Sequence, residues 1–141
     1  WDYYETMAGG TGAHARGAGL SAVHSHMTNT LNTPIESLES PYPLRVPRYH
    51  VRRGSGGHGQ FVGGDGLVRE LEFLGDAQVT LLTERRRHAP WGLAGGQLGA
   101  VGENRHNGEL LPPKTSFTAR AGDRLLVASP GGGGYCDTKC K

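Results

Sequence analysis

The chain has 141 residues, the size of a single domain. Glycine fills 24 of the 141 positions, well above the average glycine content of about 7%. Only 35% of the residues are hydrophobic, so the core is expected to be small. With 15 basic and 13 acidic residues, the net charge of +2 is too weak to indicate nucleic acid or a membrane surface as a partner.

Residues 1–43 are expected to form polar loops rather than regular structure. Glycines space the tract from Gly9 to Gly19, and the tract from His24 to Glu36 is rich in His, Asn and Thr. These residue types favour turns over helices. A helix of one or two turns is nevertheless predicted to begin near Pro34 and to end before Pro41.

Residues 44–135 are expected to be rich in β-structure. Apolar residues alternate from Leu44 to Val51 apart from a slip beside Pro47, which predicts an edge strand with a bulge. Two further extended runs flank Gly75 and Asp76 and predict an antiparallel hairpin. The residues expected at the centre of the core are Leu71, Phe73, Val79 and Leu81.

The C-terminal third is predicted to begin with a long loop from Pro90 to Pro113. A strand through Phe117 and a strand from Arg124 to Ala128 follow. The glycines at 131–134 either allow backbone to approach a ligand or form a flexible exit from the last strand, and the second interpretation is favoured. The predicted fold class is mainly β with short helices (α+β), with antiparallel strands and long glycine-rich loops.

Three features bear on the cellular context and on whether the chain is part of a larger subunit. No apolar run reaches the roughly 18 residues of a membrane-spanning helix. Cys136 and Cys140 are too few to frame a disulfide scaffold, which favours the reducing cytoplasm, and neither is assigned a catalytic role. Aromatic residues from Trp1 onward normally pack against preceding chain, so we expect a fragment of a larger subunit with an atypical tail at 136–141.

The glycine tract at 9–19 does not predict a nucleotide site in this chain. It lacks the spacing of a P-loop, and no strand precedes it with a helix after it, as a dinucleotide fingerprint requires. We therefore assign no cofactor-binding residues.

His24 and His26 are two residues apart, so on a strand both imidazoles would point to one side. Such a pair can supply metal ligands or an acid–base pair, although a structural role is the commoner reason for this spacing. A metal needs a third ligand that the sequence does not nominate, so the metal is unknown. Asn29 and Asn32 belong to a polar cluster that either caps its own turns or lines a polar ligand site.

Glu84 and three arginines follow the predicted strand that ends near Thr83. Arginine forks suit carboxylate or phosphate groups. Successive residues on a strand alternate faces, so Arg85 and Arg87 are expected to share a pocket while Arg86 points away. A solvated cluster with Glu84 paired to an arginine is the alternative.

Two blocks of this sequence resemble a known family: HSHMTNTLNTPIE at 24–36 and ERRRHAPWGLAGG at 84–96. Together they are similar to the C-terminal part of the hydantoinase B / 5-oxoprolinase family, and the similarity extends from Tyr3 to Tyr135. The resemblance implies a region of a subunit several times longer than this chain.

The family resemblance implies an ATP-dependent cyclic amide hydrolase that opens hydantoin or 5-oxoproline rings. Its partner would be a hydantoinase A type subunit or domain that binds ATP and Mg²⁺, and a divalent metal would be bound upstream of this segment. Alternatives are an acetone or acetophenone carboxylase-type subunit, and a non-catalytic assembly module of such a complex.

We combine the resemblance with residue type to assign roles as hypotheses. The expected catalytic residues are His24, His26 and Glu84. The expected substrate-binding residues are Asn29, Asn32, Arg85 and Arg87.

Overall fold

The architecture is that of a computed structural model, which describes residues 1–25 and 28–137. His26, one of the predicted catalytic residues, lies outside this part of the chain. The elements are α1 (Ile35–Glu39), β1 (Leu44–Arg52), β2 (Gly66–Phe73), β3 (Ala77–Leu82), β4 (Glu103–His106), β5 (Glu109–Leu110), β6 (Lys114–Ala119) and β7 (Arg124–Ala128). The fold is mainly antiparallel β with one short helix in the described residues, and no helix there is long and apolar enough to cross a membrane.

The strands form two sheets. Five strands run in the order β1-β2-β7-β4-β5, and β3 pairs with β6 in a separate two-stranded sheet. Strand β1 lies at the edge, and its register with β2 shifts between Arg45 and Arg48, as the bulge beside Pro47 predicted. The predicted helix is also confirmed, because α1 starts directly after Pro34 and buries Leu38.

The predicted hairpin about Gly75 is wrong, although both of its strands exist. Strand β2 pairs with β1 on one edge and β7 on the other, so no edge remains for β3. The Leu74 amide donates to the Pro43 carbonyl at 2.8 Å, beside the start of β1, and the chain then crosses to the second sheet. The two runs therefore meet face to face: Phe73 is buried in the core and Leu71, Val79 and Leu81 pack against it, half-buried.

The predicted long loop at 90–113 is wrong in its second half, where β4 and β5 form a hairpin. Its turn consists of Asn107 and Gly108, whose φ angles of 49° and 87° are both left-handed. This geometry suits the type I′ turn, which matches the right-handed twist of paired strands and favours Asn-Gly.

The glycines at 131–134 are buried rather than a loose exit from β7. The Gly57 amide donates to the Gly132 carbonyl and the Gly132 amide donates to the Gly64 carbonyl, both at 2.8 Å. A Cβ atom on Gly132 would collide with the Thr11 carbonyl. Glycine is needed here because neighbouring backbones approach too closely for any side chain.

Candidate functional site

A cavity of about 580 Å³ lies between the inner faces of the two sheets. Residues 1–7 contribute one of its walls, through side chains that include Tyr3 and Glu5. The apolar walls come from both sheets and include Leu71, Phe73, Val79, Leu81, Leu125 and Val127. The cavity has the size and the apolar lining that small-molecule sites usually show.

One cross-strand row of the five-stranded sheet contains two polar side chains, Arg69, which lines the cavity, and Asn104, which does not. Arg69 on β2 lies opposite Val127 on β7, and Val127 lies opposite Asn104 on β4. Because strand residues alternate faces, Arg69 shares the inner face with Leu71 and Phe73. Adjacent strands are about 4.8 Å apart, so the backbones of Arg69 and Asn104 are separated by roughly 10 Å.

Arg69 is a buried cation, with only 3% of its surface exposed. Its Nη1 forms an ion pair with Glu5, and its guanidinium carbon lies 5.1 Å from the centroid of the Tyr49 ring. Its Nε and Nη2 are buried and have no hydrogen-bond partner among the described residues. The Tyr3 hydroxyl donates to Glu5, and burial raises the pKa of Tyr3 although the charge of Arg69 opposes that shift.

Arg86 also lines the cavity, and its guanidinium is held by Asn104, which is fully buried. The Arg86 Nη2 donates to the Asn104 Oδ1 at 3.0 Å, and the Asn104 Nδ2 donates to the Thr83 Oγ1 at 2.8 Å. Burial and, to a lesser degree, the charge of Arg52 lower the pKa of Arg86 to about 10, and the charge of Glu84 opposes this shift. Arg86 therefore remains a cation at neutral pH.

Glu84 and Arg85 lie at the rim of this cavity. The Glu84 carboxylate is mostly exposed and lies 3.1 Å from the Lys114 ammonium. Arg85 has a left-handed φ of 57°, and its guanidinium lies 4.4 Å from the centroid of the Trp91 ring. Arg85 also lines a second cavity of about 330 Å³, which is walled mainly by glycine backbone. Two of the predicted site residues therefore share one cavity.

The other predicted residues that the structure describes lie outside the walls of both cavities. His24 is half-buried, whereas Asn29 and Arg87 are exposed. Asn32 donates to the Thr6 carbonyl at 2.8 Å and accepts from the Tyr49 hydroxyl at 2.9 Å. It therefore holds the tyrosine whose ring lies on the Arg69 guanidinium. The structure thus brings Glu84 and Arg85 together on one cavity, and the functional roles of all the predicted site residues stay predictions.

Sequence reasoning missed Arg69, Arg86 and Asn104 as site residues. The alternation that places Leu71 and Phe73 on one face also places Arg69 there, so this pattern could have found it. Asn104 could not be placed in this way, because its strand was assigned to a loop. Arg86 was expected to point away, but the left-handed φ of Arg85 breaks the strand alternation on which that expectation depended.

We searched the described residues for groups of side chains that could bind a metal ion. Within residues 1–25 and 28–137, no group of three or more His, Cys, Asp or Glu side chains could hold a metal ion. The resemblance places its divalent metal upstream of this segment, so we derive no step through it.

Sequence relatives share most of this chain. A 5-oxoprolinase from Dictyostelium discoideum is 46% identical over 138 residues, which cover 94% of this chain and 11% of that protein. A putative D-/L-hydantoinase component of the B type, from Pseudomonas sp. (strain NS671), is 38% identical over 142 residues, which cover 96% of this chain and 24% of that protein. The chain therefore spans between about a tenth and a quarter of the length of these relatives.

A solved structure shares the fold described above. The ATP-dependent caprolactamase from Pseudomonas jessenii matches with a TM-score of 0.77 and 30% identity, over 92% of this chain and 24% of that one. The model of the protein family described as Hydantoinase B/oxoprolinase matches residues 1–138 of this chain. Since this match covers nearly the whole chain, and sequence relatives and a solved structure agree with it, the chain belongs to the hydantoinase B/oxoprolinase family.

Proposed function

We propose that this chain forms part of an ATP-dependent enzyme that hydrolyses cyclic amides, and that the cavity between its sheets receives the ring. Family membership supports the reaction class, since relatives are named as 5-oxoprolinase, D-/L-hydantoinase and ATP-dependent caprolactamase. The observation that carries the placement is a cavity with apolar walls and three arginines, Arg69, Arg85 and Arg86.

The chemistry of a lactam explains why such a cavity is useful. An amide carbonyl is a poor electrophile, and phosphorylation of its oxygen creates a leaving group that lowers the barrier to attack. The phosphorylated ring is anionic, so Arg85 and Arg86 would stabilise it while the apolar walls pack against its carbon atoms. Fixed cations in a site of low polarity stabilise developing negative charge more strongly than water does.

Glu84 is the acid–base group that we propose on this chain. Its carboxylate lies at the cavity rim beside Arg85 and is exposed enough to exchange protons with water. We also propose His24 and His26 as catalytic residues, of which His24 does not line either cavity and would act on a group at their edge.

The proposed partner is a hydantoinase A type component that binds ATP and Mg²⁺. The Pseudomonas relative is named as one subunit of a hydantoinase, which supports a second subunit in some members of the family. The chain's own residues would then bind and orient the ring, and activation by ATP would occur in the partner.

The test is ring opening by the full-length protein together with its partner. 5-Oxoproline, hydantoin and caprolactam are each supplied with and without ATP, and the ring-opened product is measured. We expect ATP-dependent product from at least one ring. No ring opening of any of them would contradict the proposed function.

The role of Glu84 is tested in the same assay. We expect Glu84→Gln to lower kcat at least tenfold, equivalent to about 1.4 kcal/mol. The matched control is Glu109→Gln, because Glu109 is exposed on β5 and does not line either cavity; its kcat should stay within twofold. If Glu84→Gln weakens co-purification with the partner while the assembled complex turns over normally, the chain is an assembly module instead.

A further inference from the structure

Arg69 is a buried cation of the cavity that uses only part of its hydrogen-bonding capacity. The side chain is almost fully buried, yet its only ion pair among the described residues is with Glu5, through Nη1. Glu5 is itself held by the Tyr3 hydroxyl and by the Thr33 amide, which donates to its Oε1 at 2.5 Å. The acid is therefore fully engaged, while the guanidinium still has unused donors.

The unused donors of Arg69 have a specific geometry. In a planar guanidinium, the N–H of Nε and one N–H of Nη2 point in parallel along the same edge. Such an edge binds the two oxygens of a carboxylate at once, which a lysine ammonium cannot do. Nε and Nη2 are the two Arg69 atoms that lack a partner among the described residues.

Burial of such an edge is costly unless something binds to it. Polar groups removed from water lose the free energy of their hydrogen bonds, and charged groups lose more. The ring of Tyr49 stacks on the guanidinium but accepts no hydrogen bond from this edge. A carboxylate that reached the edge would be held without competition from water, once the side chains packed over it move aside.

We propose that Arg69 binds a carboxylate carried by the substrate ring, so that the cavity selects anionic cyclic amides over neutral ones. This inference rests on the proposed function and names the substrate class of the same cavity. Leu71 and Phe73, which share the inner face with Arg69, would pack against the ring while Arg69 fixes its carboxylate. Arg69 is then a specificity-determining residue, separate from the residues proposed to act in ring opening.

The test is calorimetric binding to the full-length protein without ATP. The two probes are 5-oxoproline and 2-pyrrolidinone, which share a five-membered lactam and differ in the ring carboxylate. We expect the wild-type protein to bind the carboxylated ring at least tenfold more tightly. In the double variant Glu5→Gln/Arg69→Gln, which removes both partners of the ion pair, the two dissociation constants should differ by less than threefold, with that of the neutral ring unchanged.

Two further variants keep the test decisive. Arg69→Lys retains the ion pair with Glu5 but has no bidentate edge, so it should lose most of the preference even if the double variant fails to fold. Arg124→Gln removes an exposed cation of β7 that lies outside the cavity, and should keep the full preference.

Several results would overturn the inference. They are no preference in the wild-type protein, a preference that survives in the Arg69 variants, an equal weakening of both rings, or binding of inorganic phosphate in place of the carboxylate with the same dependence on Arg69. The binding readout is independent of turnover. Tight binding through Arg69 without ATP-dependent ring opening would contradict the proposed function alone, and equal turnover of both rings by an Arg69-independent route would contradict this inference alone.

Discussion

Gly132→Ala tests the close packing of glycine backbones most severely. A Cβ atom at this position would collide with the Thr11 carbonyl and lie 2.7 Å from the Gly12 nitrogen. Both neighbours are backbone, so no side chain can rotate to make room. The strain must instead move the main chain, which carries the hydrogen bonds of Gly132 to Gly57 and Gly64.

The expected cost follows from these contacts. Overpacking a well-packed site costs about 1–3 kcal/mol. Weakening two buried backbone hydrogen bonds adds about 1 kcal/mol each. We therefore expect Gly132→Ala to reduce the local free energy of opening by about 3–5 kcal/mol, which corresponds to at least a hundredfold faster exchange of the protected amides.

Hydrogen exchange measured by mass spectrometry on the full-length protein provides the assay. The informative peptides cover residues 55–66 and 130–136, because amides of each segment donate hydrogen bonds to carbonyls of the other. Gly75→Ala is the control, since a Cβ there would meet the Pro43 side chain at an ordinary 3.5 Å, and its exchange should match the wild type within threefold. If Gly132→Ala behaves like this control, the glycines are not needed for close backbone approach.

Two further variants test the buried network and the acid sensitivity of the fold. Asn104→Ala removes the acceptor of Arg86 and the donor to Thr83, so we expect a loss of about 3 kcal/mol, seen as faster exchange in β4; unchanged exchange would show that the network does not stabilise this strand. The Arg120 amide, then Asn107, then His106 hold the pKa of Asp123 down to about 2, from 3.8. Because the folded pKa is depressed, this stabilisation is present above about pH 4 and disappears as the pH falls to 2; Asp123→Asn should lack that loss in acid-unfolding curves, and identical curves would refute the assignment.

Much of the secondary structure could be predicted from local sequence. Pro34 and Pro41 delimit α1, and alternation with a slip beside Pro47 gives β1 and its bulge. These elements depend on backbone constraints within a few residues. Local pattern also located the strands on either side of Gly75.

Strand pairing could not be predicted in the same way, because it depends on which edges are already occupied. Strand β2 is flanked by β1 and β7, a partner that follows it by more than 50 residues, so the short connection at Gly75 could not close a hairpin. The β4–β5 hairpin is different, since Asn107 and Gly108 are a strong local turn pattern that the sequence interpretation did not use.

The candidate site was only partly visible in the sequence. Residue type indicated Glu84 and Arg85, which do lie on one cavity. Arg69, which lines the cavity, and Asn104, which holds Arg86, come onto one cross-strand row only through the pairing of β2, β7 and β4. Residue type alone could not reveal them, because arginine and asparagine are usually exposed.

We propose that the cyclic amide binds between the two sheets. The most direct measurement is an experimental structure of the full-length protein with 5-oxoproline bound and ATP absent. We predict that the ring lies against Leu71 and Val79 with its carboxylate on Arg69. A ring bound elsewhere, with another segment of the protein filling the space between the sheets, would rule out this binding site.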